Sequence, residues 1–177
     1  MIACATRPRE ALNARWEEFD LDRKLWTIPA ARMKSRKGKG KPHSVPLSSI
    51  ATDVLERQAR VTGGVGPIFP GKLKGRALTY CPFATAKMVD VDGNKIDAGS
   101  PHGWRSVFRD ACDDKLRIDG RRVDPDLAET ALAHTLSAVE GAYRRETAIE
   151  DRRSVMEAYW LMGKSDNNVV KCPERAA

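Results

Sequence analysis

The 177 residues are 41% hydrophobic and 31% charged, which is enough apolar material for one domain core and too much for a disordered chain. Thirty-one Lys and Arg stand against 24 Asp and Glu, and the net charge of +7 favours a polyanionic partner, nucleic acid first. There is no apolar run of membrane-span length, no apolar leader at the N-terminus, and no HExxH, Walker or dinucleotide-binding glycine motif. The four cysteines, Cys4, Cys81, Cys112 and Cys172, are scattered without a CxxC pair. They read as free thiols of a cytoplasmic protein rather than as a zinc site or disulfide frame.

Along the chain, Pro8 suits the first turn of a helix and pushes Arg7 towards an extended conformation at its entrance. Ala11, Leu12 and Trp16 then mark a short amphipathic helix. LWTIPA and HSVPLS read as two strands, and the polar, glycine-containing RMKSRKGKGKP between them reads as the exposed tip of a β-hairpin. Ser48 or Ser49 caps the next helix, with Ile50, Val54 and Leu55 on its apolar face. A loop follows at TGGVGP. Between Pro70 and Gly99 the pattern is weak: LTYCPFATAKMV is read as helical and VDGNKIDAG as turns.

Ser100 and Pro101 form a good helix start. In that helix Trp104, Phe108, Ala111 and Cys112 share the core face, while His102, Arg105 and Arg109 form a basic stripe beside it. A helix from about Asp126 to His134 comes next. Two capping boxes, Ser137 with Glu140 and Thr147 with Glu150, predict a short helix carrying Tyr143 and a last helix carrying Ile149, Val155, Met156, Tyr159 and Trp160. The stripe on that last helix packs either on its own domain or on a neighbouring protomer. The expected organisation is a mainly α domain with a small antiparallel sheet (α+β) over residues 1–163, followed by a loose tail over 164–177.

Each polar residue of interest has an ordinary reading when taken singly. A histidine in ALAHT suits a core, Tyr143 beside Val139 and Ala142 suits a helix face, Arg7 and Glu10 suit a surface pair, and the hairpin cations suit solvent. Together they suit one chemistry. Tyrosine is a poor nucleophile at its ordinary pKa of roughly 10, and becomes useful where cations surround both it and an anionic substrate. The order is Arg at a helix start, Lys on a hairpin, His-x-x-Arg, Leu-Ala-His, then Tyr nine residues later.

With TRPREALNARWEEFDLD, LWTIPAARMKSRKGKGKPHSVPLS, GPIFP, HGWRSVFRD, LAHT and AYRRETAIEDRRSVMEAYW, this order resembles the catalytic domain of the tyrosine recombinases, the phage-integrase family, most closely its prophage-integrase branch. The resemblance runs from Ala5 to Trp160. It implies that Arg7, Lys34, His102, Arg105 and His134 form the catalytic set around the nucleophile Tyr143, with Glu10 in support. It also implies DNA contacts from Arg32, Arg36, Lys37, Lys39, Lys41 and Arg109, and needs no metal or other cofactor. The implied activity is site-specific recombination through a 3′-phosphotyrosine, integrating or excising a prophage or genomic island. The implied partner is double-stranded attachment-site DNA, bound by a tetramer of the full-length protein, with the fragment alone a monomer associated with the bacterial nucleoid. Arg9 stands where the family often has glycine and Trp104 where phenylalanine is common. CDDKLRIDGRRVDPD is unusually polar. Arg7 lies almost at the chain start, so the family's core-binding and arm-binding domains are expected to be missing from this piece. The competing readings are a catalytically silent DNA-binding remnant and a type IB topoisomerase-like strand transferase.

Overall fold

The computed structural model describes residues 2–34, 40–79, 88–89, 94–96, 100, 103–134 and 148–165. It is an α+β fold with two packed clusters of buried side chains.

The first cluster is built by the N-terminal half. Helix α1 (Pro8–Leu12) starts on proline, whose fixed φ fits the first turn. It stops at Asn13, so Trp16 lies in a separate 3-10 turn rather than on the same helix. Strands β1 (Phe19–Asp20), β2 (Leu25–Ile28) and β3 (His43–Pro46) form an antiparallel sheet in chain order, with Trp26 opposite Val45 and Ile28 opposite His43. The two expected strands are present, and β1 is an addition that the two-residue segment is too short to announce. Phe19 stacks on Trp26 at 5.2 Å, and the Trp26 indole donates to Glu18 at 2.9 Å. Gly40 is required where the hairpin arms close, since a Cβ there would stand 2.7 Å from the Ala30 carbonyl oxygen.

Helix α2 (Ser49–Thr62) ends on Gly63 in the left-handed conformation. Its buried residues are Ala51 and Leu55, whereas Val54, expected on the apolar face, is 40% exposed. Ile68 of GPIFP is fully buried because the Ala14 carbonyl and the Ile68 amide pair, bringing the loop back over this cluster. Beyond it, β4 (Met88–Val89) pairs with β5 (Lys95–Ile96). The helical reading of LTYCPFATAKMV therefore fails at Met88, and the turn reading of VDGNKIDAG fails at Lys95. Leu78 and Thr79 are not helical either, and residues 80–87, 90–93 and 97–99 fall outside the described residues.

The second cluster is helical. Helix α3 (Gly103–Asp110) begins where the Ser100 hydroxyl accepts from the Gly103 amide at 3.0 Å, as the sequence suggests. Phe108, Ala111 and Cys112 are buried and Trp104 is half-buried. The polar CDDKLRIDGRRVDPD forms one wide turn at Ala111–Lys115 and then a hairpin, β6 (Arg117–Ile118) with β7 (Arg121–Arg122). Its two-residue turn, Asp119 at φ 50 and Gly120 at φ 76, has the left-handed geometry that tight hairpins need. Leu116 and Val123 anchor the hairpin in the core. Helix α4 (Pro125–Ala131) is capped by Asp124, whose side chain accepts from the Asp126 amide. Helix α5 (Ala148–Ser165) continues past Gly163, where the tail was expected to begin. Val155, Met156 and Tyr159 pack inward, with Tyr159 edge-on to Phe108 at 5.1 Å, so these three side chains pack on their own domain.

The two clusters meet at the chain start: Cys4 belongs to one and Ala5 to the other. Arg7 follows immediately. Helix α5 also bridges them, through Arg152 to the Ser44 carbonyl at 2.8 Å and Glu157 to the Ser49 amide at 2.7 Å.

Candidate active site

Arg7 stands at the entrance to α1 with extended backbone, φ −68 and ψ 146. Glu10 lies one helical turn on, so one carboxylate oxygen takes the Arg7 amide at 2.8 Å while the other takes the Arg7 guanidinium at 2.8 Å. Glu10 is buried at 4% exposure, and the Arg7 side chain stays 22% exposed. Burying the carboxylate with its partner fixes the arginine while leaving part of its donor fork to the outside.

Arg105, on α3, is buried at 6% exposure. Its guanidinium donates to the backbone carbonyls of Ala5 and Leu132 and meets His134 Nε2 at 3.2 Å. Two of these partners are backbone carbonyls, so among the described residues the charge is held in the fold without a contacting carboxylate. Burial first, then the neighbouring Arg7, pull the Arg105 pKa down to about 10, against the opposing pull of Glu10 and Glu129. At neutral pH it is a cation, and an anion in its reach would relieve both the burial and the repulsion.

His134 reaches Arg105 through the way α4 ends. Ala133 adopts φ 53, its amide bonds the Thr130 carbonyl, and the His134 amide bonds the Glu129 carbonyl at 3.0 Å. This is the Schellman arrangement with alanine in place of the usual glycine. It folds His134 back over Glu129, and Nδ1 lies 2.5 Å from a Glu129 carboxylate oxygen. The other oxygen takes Arg109 Nε at 2.7 Å. Burial works against the Glu129 carboxylate, but hydrogen bonds from His134 and Arg109 outweigh it and hold its pKa below the ordinary value.

Two residues missed in the sequence complete the surroundings. His43 opens β3, half-buried, and its ring bonds the Ala131 carbonyl while facing Arg152, Arg105 and Arg7. Burial, then the charge of Arg152, lower its pKa to about 4, so the ring is neutral at neutral pH. The signal was present: His43 alternates with the buried Val45, so a polar ring sits on the core face of a strand. Arg152, 3% exposed, holds the Ser44 and Ala148 carbonyls. It falls on the same helical stripe as Val155, Met156 and Tyr159, and a charge on such a stripe was its signal.

The structure therefore brings Arg7, Glu10, Arg105 and His134 into one neighbourhood. Lys34 and Lys41 are exposed on the hairpin arms. Among the described residues, no hydrogen bond or ion pair joins Lys34 to Arg105 or His134. Two other expected DNA contacts are engaged by groups of the protein itself. Arg32 bonds the Glu10 carbonyl at 2.8 Å and the Glu18 carboxylate, and Arg109 bonds Glu129 and Asp113. Each cation found a carboxylate within reach. The expected stripe along α3 is accordingly split, with Arg105 buried and Arg109 in a surface ion-pair network. Arg9 is exposed. His102, Tyr143, Arg36, Lys37 and Lys39 lie outside the described residues.

Cations fixed by backbone carbonyls around a histidine define a centre suited to a phosphate-like anion. Comparison with known proteins agrees with that class. The chain is 37% identical over 158 residues to the prophage integrase IntA of Escherichia coli (strain K12), covering 88% of this chain and 35% of that protein. It is 33% identical over 159 residues to the prophage integrase IntZ of the same strain, covering 90% and 37%. The integrase of Enterobacteria phage P4 is 29% identical over 163 residues, covering 87% and 36%. Over about nine tenths of its length the chain is similar to these integrases, which supports the tyrosine recombinase, or phage integrase, family. It spans about a third of the length of the curated relatives it matches. No family model matches the chain, and no solved structure gives a significant match.

Proposed function

We propose that this chain supplies the strand-transfer centre of a site-specific DNA recombinase, with double-stranded attachment-site DNA as substrate and a tetramer as the working assembly. The observation that carries the reading is Arg105. It is a buried guanidinium oriented by Ala5 and Leu132, with Arg7 and His134 beside it and, among the described residues, no carboxylate in contact.

In this mechanism the Tyr143 oxygen attacks a DNA phosphorus. The tyrosine O–P bond forms, the P–O5′ bond breaks, and the strand end is held as a 3′-phosphotyrosine. The phosphate gains negative charge on the way, and Arg7 and Arg105 present forked donors to its oxygens. His134 Nε2 adds a third contact. His102 takes the tyrosine proton, and Lys34 gives a proton to the departing 5′ oxygen. The parts given to His102, Tyr143 and Lys34 rest on the sequence resemblance. The exposed Lys34 would reach the leaving oxygen from the hairpin once DNA lies across it. Because the bond energy is kept in the phosphotyrosine, attack by a new 5′-hydroxyl reverses the step and joins the strands without ATP.

The test is covalent capture. The chain is incubated with a library of nicked suicide duplexes, whose severed end diffuses away, and run on a denaturing gel. A denaturant-resistant protein–DNA band that Tyr143→Phe abolishes is expected. DNA retention in native gels with no covalent band would instead describe a silent binding remnant. Adducts on every duplex alike, with relaxation of supercoiled plasmid, would describe a topoisomerase-like transferase.

A further inference from the structure

His134 carries two contacts whose donor rules are asymmetric. An arginine can only donate, so where Arg105 meets His134 Nε2, that nitrogen is the acceptor. The ring proton then sits on Nδ1, which faces the Glu129 carboxylate at 2.5 Å. The carboxylate is itself locked from behind by Arg109 Nε at 2.7 Å, and Arg109 is held by Asp113. The backbone enforces the same arrangement. The left-handed Ala133 places His134 and Glu129 at the two positions of the helix C-terminus that meet across the cap, where an apolar contact is the common solution. A glutamate and a histidine at an apolar contact position, together with the second lock by Arg109, make a device that sets the direction of the ring.

We propose that Glu129 is a positioning residue for His134, fixing its Nδ1 proton so that Nε2 is the atom presented to the phosphate beside Arg105. This rests on the reading of His134 as a phosphate contact. A phosphate oxygen accepts only, so when it arrives Nε2 must take up a proton and donate. The charged and titratable groups facing the ring then act in opposite senses: Arg105 on α3 opposes the proton, and Glu129 on α4, backed by Arg109, favours it. Glu129 wins on geometry, because it stays at hydrogen-bond distance while Arg105 turns to the phosphate. The carboxylate at Nδ1 then holds the ring in place while Nε2 donates to the phosphate.

The test compares the full chain with Glu129→Gln and Glu129→Asp. A glutamine puts an NH2 donor where one of the two carboxylate oxygens stood, so either Arg109 or His134 loses its acceptor. Nitrogen-15 imidazole spectra of the DNA-free protein should show His134 protonated at Nδ1 alone, and a mixture of both tautomers in Glu129→Gln. Covalent adduct formation on the suicide duplex should slow by about 10- to 100-fold in Glu129→Gln, with half-saturating DNA unchanged. The alkaline limb of its rate profile should move to lower pH, and Glu129→Asp should recover part of both changes. A purely structural role would lower the melting temperature without moving the tautomer or the pH limb. An unchanged tautomer with an unchanged alkaline limb in Glu129→Gln overturns the proposal. If the parent chain forms no adduct at all, the recombinase reading fails. The tautomer spectra then decide Glu129 alone: a mixture in the variant upholds its positioning of His134, and an unchanged spectrum overturns it.

Discussion

Arg105 combines burial with neutral partners, and those two properties pull in opposite directions. Removing the side chain leaves the Ala5 and Leu132 carbonyls without their donor. A buried polar group stranded in this way costs roughly 1–3 kcal/mol. Keeping the charge as Arg105→Lys does not restore the site, because one ammonium cannot span two carbonyls and present a planar fork to an anion. Arg105→Lys is expected to lower folding stability by about 1–3 kcal/mol in chemical denaturation. It is also expected to slow adduct formation by roughly 10²- to 10³-fold, the usual cost of losing a charge-stabilising donor. His43 makes a different prediction at the same scale. Its pKa is about 4 in the fold against an ordinary 6.5, so the folded state favours the neutral ring. Its contribution to stability is whole above pH 6.5. As pH falls from 6.5 towards 4 the unfolded chain binds a proton that the folded chain refuses, and stability drops, by ~3 kcal/mol at most. Denaturation of the parent and His43→Gln across that window should show a steeper acid loss in the parent.

Helix ends and turns, more than helix faces, set the site. Arg7 is placed by the start of α1 and His134 by the cap after α4. Ala133 is the strained part of this scheme, since a side chain in the left-handed region costs roughly 1–2 kcal/mol. Ala133→Gly relieves that strain and adds freedom to the unfolded chain, so a net gain of up to about 1 kcal/mol is expected by thermal denaturation, with the His134–Glu129 contact kept. The sequence made the starts of α1 and α3 readable because Pro8 and Ser100 act locally. It made β2 and β3 readable because Trp26, Ile28, Val45 and Leu47 alternate onto one core. It did not reveal Glu129 as a partner of His134, because five residues is no helical repeat and only the cap geometry brings them together. Nor did it separate Arg105 from Arg109, four residues apart on one helix. The first is buried by contacts 27 and 100 residues away, and the second finds Asp113 and Glu129 at the surface. Arg32 likewise counts as one more hairpin cation until Glu18 and the Glu10 carbonyl are seen beside it.

At the scale of the molecule, the site lies on the seam between two cores. Arg7 arrives from the sheet-bearing cluster and Arg105 and His134 from the helical one, with Ala5 and α5 as the ties. A seam of this kind brings cations from two packed clusters into one neighbourhood, and Lys34 and Lys41 are exposed on the hairpin arms. The same arrangement makes the mechanism's central claim a statement about one covalent bond. After incubation with suicide duplexes, the chain is digested with nuclease and protease and its peptides are weighed by mass spectrometry. The peptide containing Tyr143 should carry a nucleotide joined through a 3′-phosphate, and it should be missing from Arg105→Lys at matched times. A nucleotide found on another residue, or a bound and protected DNA with no modified peptide, would contradict the mechanism.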